Sequence, residues 1–148
     1  MKVLLINPPR IKSKRDPLRS GTPSGLISIA GQIRKHLPQV EVSFIDAVVD
    51  SKDQLEVKPG IFRVGLSGRS LRSRIHGIAP NVIGIGNIFT CEWQNAAHTT
   101  KMAKQASPNS VVVLGGHHSS FEAEFMLRNT DADYVVLRES ELPLLELL

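Results

Sequence analysis

Four short runs of this chain carry apolar residues or glycine at every position: Val3-Leu4-Leu5-Ile6, Val82-Ile83-Gly84-Ile85-Gly86, Val111-Val112-Val113-Leu114 and Tyr134-Val135-Val136-Leu137. A strand with no polar face has to be covered on both sides, which is the condition of a parallel sheet between helices rather than of a half-solvated hairpin sheet. A further strand is expected at Val40, Val42, Phe44 and Ile45, ending on Asp46. This pattern constrains the fold more than any other feature of the sequence.

The segments between the runs repeat their apolar residues at helical spacing. Leu26, Ile29, Ala30, Ile33 and Leu37 outline one helix, stopped by Pro38. Leu66, Leu71, Ile75 and Ile78 outline a second, with Arg69, Arg72 and Arg74 on its wet side and Pro80 ending it. Trp93, Ala96, Ala97, Met102, Ala103 and Ala106 give a third, and Phe121 to Leu127 a fourth. Strand and helix alternate and no hairpin-type turn is evident, so crossover connections are expected. The predicted fold is a flavodoxin-like (Rossmann-like), doubly wound, five-stranded parallel α/β sheet in three layers. Residues 47–66 read as an excursion without a dominant period. The stretch Glu139–Leu148 reads as a helix whose apolar face has nothing after it to pack on, as expected of a domain cut from a longer protein.

At 148 residues, 41% hydrophobic and 22% charged, the chain fits one globular domain, residues 1–148, with an aliphatic core. Apolar stretches fall far short of the roughly 18 residues of a membrane span, and Met1 leads directly into the first run, so neither a span nor a signal peptide is expected. The single cysteine, Cys91, cannot form an internal disulfide or, by itself, a cysteine-only metal centre, and suggests a cytoplasmic setting. It opens a helix, where a small residue is the simple reading and a reactive thiol the sharper one. No repeat or low-complexity segment is visible.

Charge is uneven. Residues 1–74 carry 14 Lys/Arg against 6 Asp/Glu, and residues 75–148 carry 4 against 8. The basic cluster Arg10, Lys12, Lys14, Arg15 and Arg19, closed by the turn-forming Ser20-Gly21-Thr22-Pro23-Ser24-Gly25, reads as a long loop. No stacking aromatics are interleaved with it, so nucleic acid is not the expected partner.

Open parallel sheets bind ligands beyond the carboxyl ends of their strands, where the strand order reverses. Those positions read Asn7-Pro8-Pro9, Gly86-Asn87-Ile88-Phe89-Thr90 and Gly115-Gly116-His117-His118-Ser119-Ser120. A Gly-Gly pair removes two β-carbons, letting a ligand lie on the backbone; a tight turn without a ligand is the plainer explanation. His117 and His118 are adjacent in a loop, with no carboxylate or cysteine at ligand spacing, so no zinc site is expected. An acidic phosphoacceptor is absent from the third strand end, where Asn87 stands.

Several of these segments together carry a family likeness. They are Val3-Leu4-Leu5-Ile6-Asn7-Pro8-Pro9, Gly25-Leu26 with Ile29-Ala30, Val42 to Ala47, and Pro80 to Ile85 with Phe89-Thr90. Leu114-Gly115-Gly116-His117-His118 and Asp133 to Val136 with Glu139-Ser140-Glu141 complete the set. In this order the chain resembles the N-terminal cobalamin-binding domain of cobalamin-dependent radical S-adenosylmethionine enzymes, a group including methyltransferases and the oxidative cyclase of magnesium-protoporphyrin ester.

The resemblance implies a corrinoid over the strand ends with its nucleotide tail beside the sheet. Cofactor-binding positions would be Asn7, Pro8, Gly86, Asn87, Ile88, Thr90, Gly115, Gly116, His117, His118 and Glu139, with no catalytic residue in the segment. It further implies a longer parent whose barrel domain binds S-adenosylmethionine and a 4Fe-4S cluster. Two departures stand out. The Asp-x-His-x-x-Gly signature is missing after the first strand, so that loop offers cobalt no histidine. The usual Gly-Glu-Gly-Glu at the fifth strand end is Arg138-Glu139-Ser140-Glu141, which leaves open an interaction domain of the same fold that has lost the cofactor.

Overall fold

The computed structural model describes residues 1–15, 21–51 and 53–148. Arg19 and Ser20 of the expected loop lie outside the described residues. Elements in chain order are β1 (Lys2–Asn7), β2 (Arg10–Ser13), α1 (Ser24–His36), β3 (Glu41–Asp46), β4 (Gln54–Lys58), β5 (Ile61–Val64), α2 (Gly68–Ile78) and β6 (Val82–Gly86). A short 3-10 turn (Thr90–Glu92) then leads into α3 (Trp93–Ala106), β7 (Val111–Gly115), α4 (His117–Phe121), α5 (Ala123–Asn129), β8 (Tyr134–Val135) and α6 (Glu141–Leu147).

Among the described residues, five strands form a parallel sheet in the order β3-β1-β6-β7-β8. The chain starts in the middle, moves to one edge and then crosses to the other, so the order reverses between β1 and β6. The expected α/β fold is the observed one. Each apolar strand feeds two cores. Leu4, Ile6, Ile83, Ile85, Val112 and Leu114 face Leu71 and Ile75 of α2, Met102 and Ala103 of α3, and Met126 of α5. Val3, Leu5, Val82 and Val113 face Ile29 and Ile33 of α1 and Leu144 of α6. Leu4, Leu5 and Ile83 are wholly excluded from solvent, worth roughly 1.5–3 kcal/mol per large aliphatic side chain.

The structure corrects the sequence reading in five places. The basic run begins as a strand, β2, and residues 47–66 contain two more; these pair antiparallel in the order β2-β5-β4. A hairpin turn does exist, at Pro59-Gly60, where Gly60 takes φ +74°. The helix expected from Phe121 begins at His117 and breaks at Glu122 into α4 and α5. The fifth strand's ladder is shorter than its apolar run, although Val136 N still donates to Leu114 O at 2.8 Å. Finally, the apolar face of α6 is covered in part. Leu144 is buried against the α1 side of the sheet, with Leu145 and Leu148 packed on the same cluster, while Leu142 and Leu147 stay exposed.

Candidate functional site

Strands β1, β6 and β7 lie side by side in register, with Leu5 opposite Gly84 and Gly84 opposite Val113. All three point toward the α1 and α6 layer, and the middle one has no side chain. A β-carbon at Gly84 would stand 2.9 Å from Leu5 Cδ2. The missing side chain leaves a slot roofed by Leu26, Ile29 and Leu144, which widens at the carboxyl ends of the strands into a cavity of about 610 Å³. That volume is in the range of small-molecule sites, and the position beside the reversal of strand order is where such folds bind ligands.

Asn7, Pro8, Gly86, Asn87, Ile88, Gly115, Gly116, His117 and Glu139 all line this cavity. Asn7 Nδ2 donates to Asp46 Oδ1 at 3.0 Å, tying the ends of β1 and β3 together. Asn87 is buried; its backbone N–H donates to Gly115 O at 2.7 Å and its Nδ2 approaches Met126 Sδ at 3.9 Å. Its Oδ1 has no hydrogen-bond partner among the described residues. Ile88 is half-exposed on the rim, and His117 meets the Phe121 ring edge-to-face at 4.9 Å.

The two glycines of the β7 loop face protein atoms. Gly116 takes φ +109°, and a β-carbon there would lie 2.7 Å from Asn87 O. At Gly115 a β-carbon would meet Ser140 Oγ at 3.0 Å. These close approaches lock the loops after β6, β7 and β8 against each other. Thr90 and His118 do not line the cavity. They contact one another, Thr90 Oγ1 to His118 Nδ1 at 3.2 Å, and His118 is buried with Nε2 unpartnered among the described residues. Cys91 lies in the 3-10 turn and is exposed. Among the described residues, no group of three or more His, Cys, Asp or Glu side chains converges as a metal-ligand set.

Other lining residues escaped the sequence reading. Arg10 follows the Asn-Pro-Pro run and places its guanidinium over the Phe89 ring at 5.9 Å. Glu92 accepts the Ile11 N–H at 3.1 and 3.2 Å and the Asn95 amide. Burial pushes its carboxyl up from the usual glutamate range, against the lowering by Asn95, Ile11 and the Arg10 charge. Glu141 accepts the Ser28 hydroxyl at 2.8 Å, joining α6 to α1 over the slot. Arg138 sits at φ +61°, its backbone N–H held by Ser120 Oγ at 2.8 Å. The backbone at this strand end is therefore left-handed although no glycine is there. The available signal for Arg10 and Arg138 was their position directly beyond strand ends; nothing local in the sequence marks Glu92.

The sequence pattern of the B12 binding domain matches residues 18–148. The chain is 30% identical over 151 residues to the cytidylyl-2-hydroxyethylphosphonate methyltransferase of Streptomyces wedmorensis, covering 97% of this chain and 27% of that protein. It is 29% identical over 150 residues to the uncharacterized methyltransferase PH0819 of Pyrococcus horikoshii, covering 100% of this chain and 29% of that one. The chain thus spans under a third of the curated relatives it matches. Among solved structures, the RcsB response regulator of Salmonella typhimurium superposes with a TM-score of 0.56 at 12% identity, covering 97% of this chain and 56% of that one. At that identity the likeness is one of fold. No helix among the described residues is long and apolar enough to cross a membrane.

Proposed function

The chain belongs to the B12-binding domain family, and from that premise we propose that it holds and orients a corrinoid for a methyl-transferring enzyme. The observation that carries this reading is the slot floored by Leu5, Gly84 and Val113. It is apolar in depth, suited to a flat aromatic tail base, and widens beyond the strand ends, where the larger ring would rest. Asn7, Gly86, Asn87, Gly115 and Gly116 shape the neck, with Ile88, Phe89 and Phe121 as an apolar rim. The residues present therefore fit the cofactor.

When bound, the corrinoid supplies the cobalt chemistry of the parent reaction. This chain's own residues bind it, exclude water from its tail and fix its orientation. The two methyltransferase relatives support methyl transfer over the cyclase reaction as the parent's activity. We further place the chain as the N-terminal part of a longer cytoplasmic protein whose radical S-adenosylmethionine barrel would carry S-adenosylmethionine and the 4Fe-4S cluster. A full-length parent with a Cys-x-x-x-Cys-x-x-Cys motif beyond this segment supports that arrangement; a parent without one contradicts it.

A second reading, an interaction domain that has lost the cofactor, draws on Arg138 and Ser140 standing where the family has glycine. The left-handed backbone at Arg138 weighs against it, since the loop keeps the conformation glycine would give. Mixing the purified protein with hydroxocobalamin and desalting separates the two. The proposed function predicts that the red chromophore stays with the protein; its complete loss favours the interaction domain.

A further inference from the structure

Arg138 combines three properties. It is a non-glycine residue in left-handed backbone conformation, at φ +61°. It lines the cavity. And its guanidinium forms no ion pair with any described residue, although Glu139 and Glu141 follow closely in the chain. Backbone strain of this kind persists where surrounding structure enforces it, and it concentrates at binding sites.

The enforcement is visible. Arg138 N–H donates to Ser120 Oγ at 2.8 Å, and the same hydroxyl donates to Gly116 O at 3.0 Å. One serine thereby clamps the loop after β8 to the loop after β7 and fixes where Arg138 emerges. Glu141 is turned toward α1 by its bond to Ser28, and the other arginine of the lining, Arg10, is placed against Phe89. Arg138, exposed and without an ion pair among the described residues, therefore brings a cation to the lining of a cavity whose depth is apolar. The chemical complement is an anion joined to a flat apolar group.

We propose that Arg138 recognises the phosphodiester of the corrinoid's nucleotide tail, so that the site selects tail-bearing corrinoids over truncated ones. This inference rests on the corrinoid-binding function proposed above. Arginine suits the task because its fork can donate two parallel hydrogen bonds to a phosphate. It also recasts the loss of the first loop glycine as a gain of a specificity-determining residue, with the backbone conformation kept.

The test compares hydroxocobalamin with cobinamide, which has the same corrin ring but lacks the tail phosphate and base, by visible titration of wild type, Arg138→Gly and Arg138→Lys. Glycine accepts the left-handed conformation, so the fold is retained, and a thermal melt checks this. The expected result is that Arg138→Gly weakens cobalamin binding by about tenfold, the size of one charge-assisted contact. Cobinamide binding stays unchanged, and Arg138→Lys falls between. Raised ionic strength should weaken cobalamin binding to wild type more than to Arg138→Gly. Equal cobalamin affinity in wild type and Arg138→Gly, or an equal loss for both ligands, overturns the inference while leaving the binding function intact. Failure of wild type to bind either ligand overturns both.

Discussion

Gly116 shows how a single residue joins fold to site. At φ +109° and with Asn87 O only 2.7 Å from where a β-carbon would stand, its opponents are backbone atoms that cannot rotate away. Gly116→Ala should therefore cost about 3 kcal/mol or more, combining left-handed strain with a backbone clash; urea denaturation checks it, and a loss under 1 kcal/mol would contradict the stated geometry. The sequence made the Gly115-Gly116 pair conspicuous and located it correctly at a strand end. It could not say that the space so freed is taken by Asn87 and Ser140, because both neighbours are remote in the chain. Gly84, by contrast, stands inside an apolar strand run, and it is the residue whose missing side chain opens the slot. His117 and His118, adjacent in sequence, part company in space: the first reaches the rim and the second is buried against Thr90.

At the scale of elements, the parallel sheet was legible because burial on both faces writes itself into every residue of a strand. The antiparallel sheet was not. Its strands β2, β4 and β5 are four or five residues long, mostly half-exposed, and interrupted by a register shift between Glu56 and Lys58. Partial burial leaves little periodicity to read. Glu92 ties this sheet to the cavity through the Ile11 N–H. Its carboxyl is raised by burial above its ordinary value of 4.5, so the native state binds more protons than the unfolded chain in the interval above that value. Stability is therefore lost as pH rises through the interval, and the ionised group remains a cost at neutral pH. Glu92→Gln keeps an acceptor for Ile11 and removes the charge. The variant should melt higher than wild type at pH 7, with the difference shrinking toward pH 4; a constant difference across this range would contradict the assignment. In the same way α6 is held by Leu144, 3% exposed, which also roofs the slot. Leu144→Ala should lower stability by about 2–4 kcal/mol and loosen any ligand in the slot, as a chemical melt with and without hydroxocobalamin would record.

Across the whole molecule, the two cores divide the labour. The α2, α3 and α5 side carries the larger buried cluster, whereas the α1 and α6 side is interrupted at Gly84 and supplies the slot. Among the described residues, the basic side chains of the first half are spread over β1, β2, α1, β4, β5 and α2, and of them only Arg10 lines the cavity. Net charge thus says little about this site, while strand pattern and loop position say much. The central claim is that the slot beside Gly84 holds a corrinoid, and it is tested most directly by visible titration of hydroxocobalamin into wild type and Gly84→Val, each verified as folded by its thermal melt. Saturable binding near one equivalent to wild type and at least a tenfold loss in Gly84→Val is the predicted result; no binding to folded wild type, or equal binding to both proteins, would contradict it.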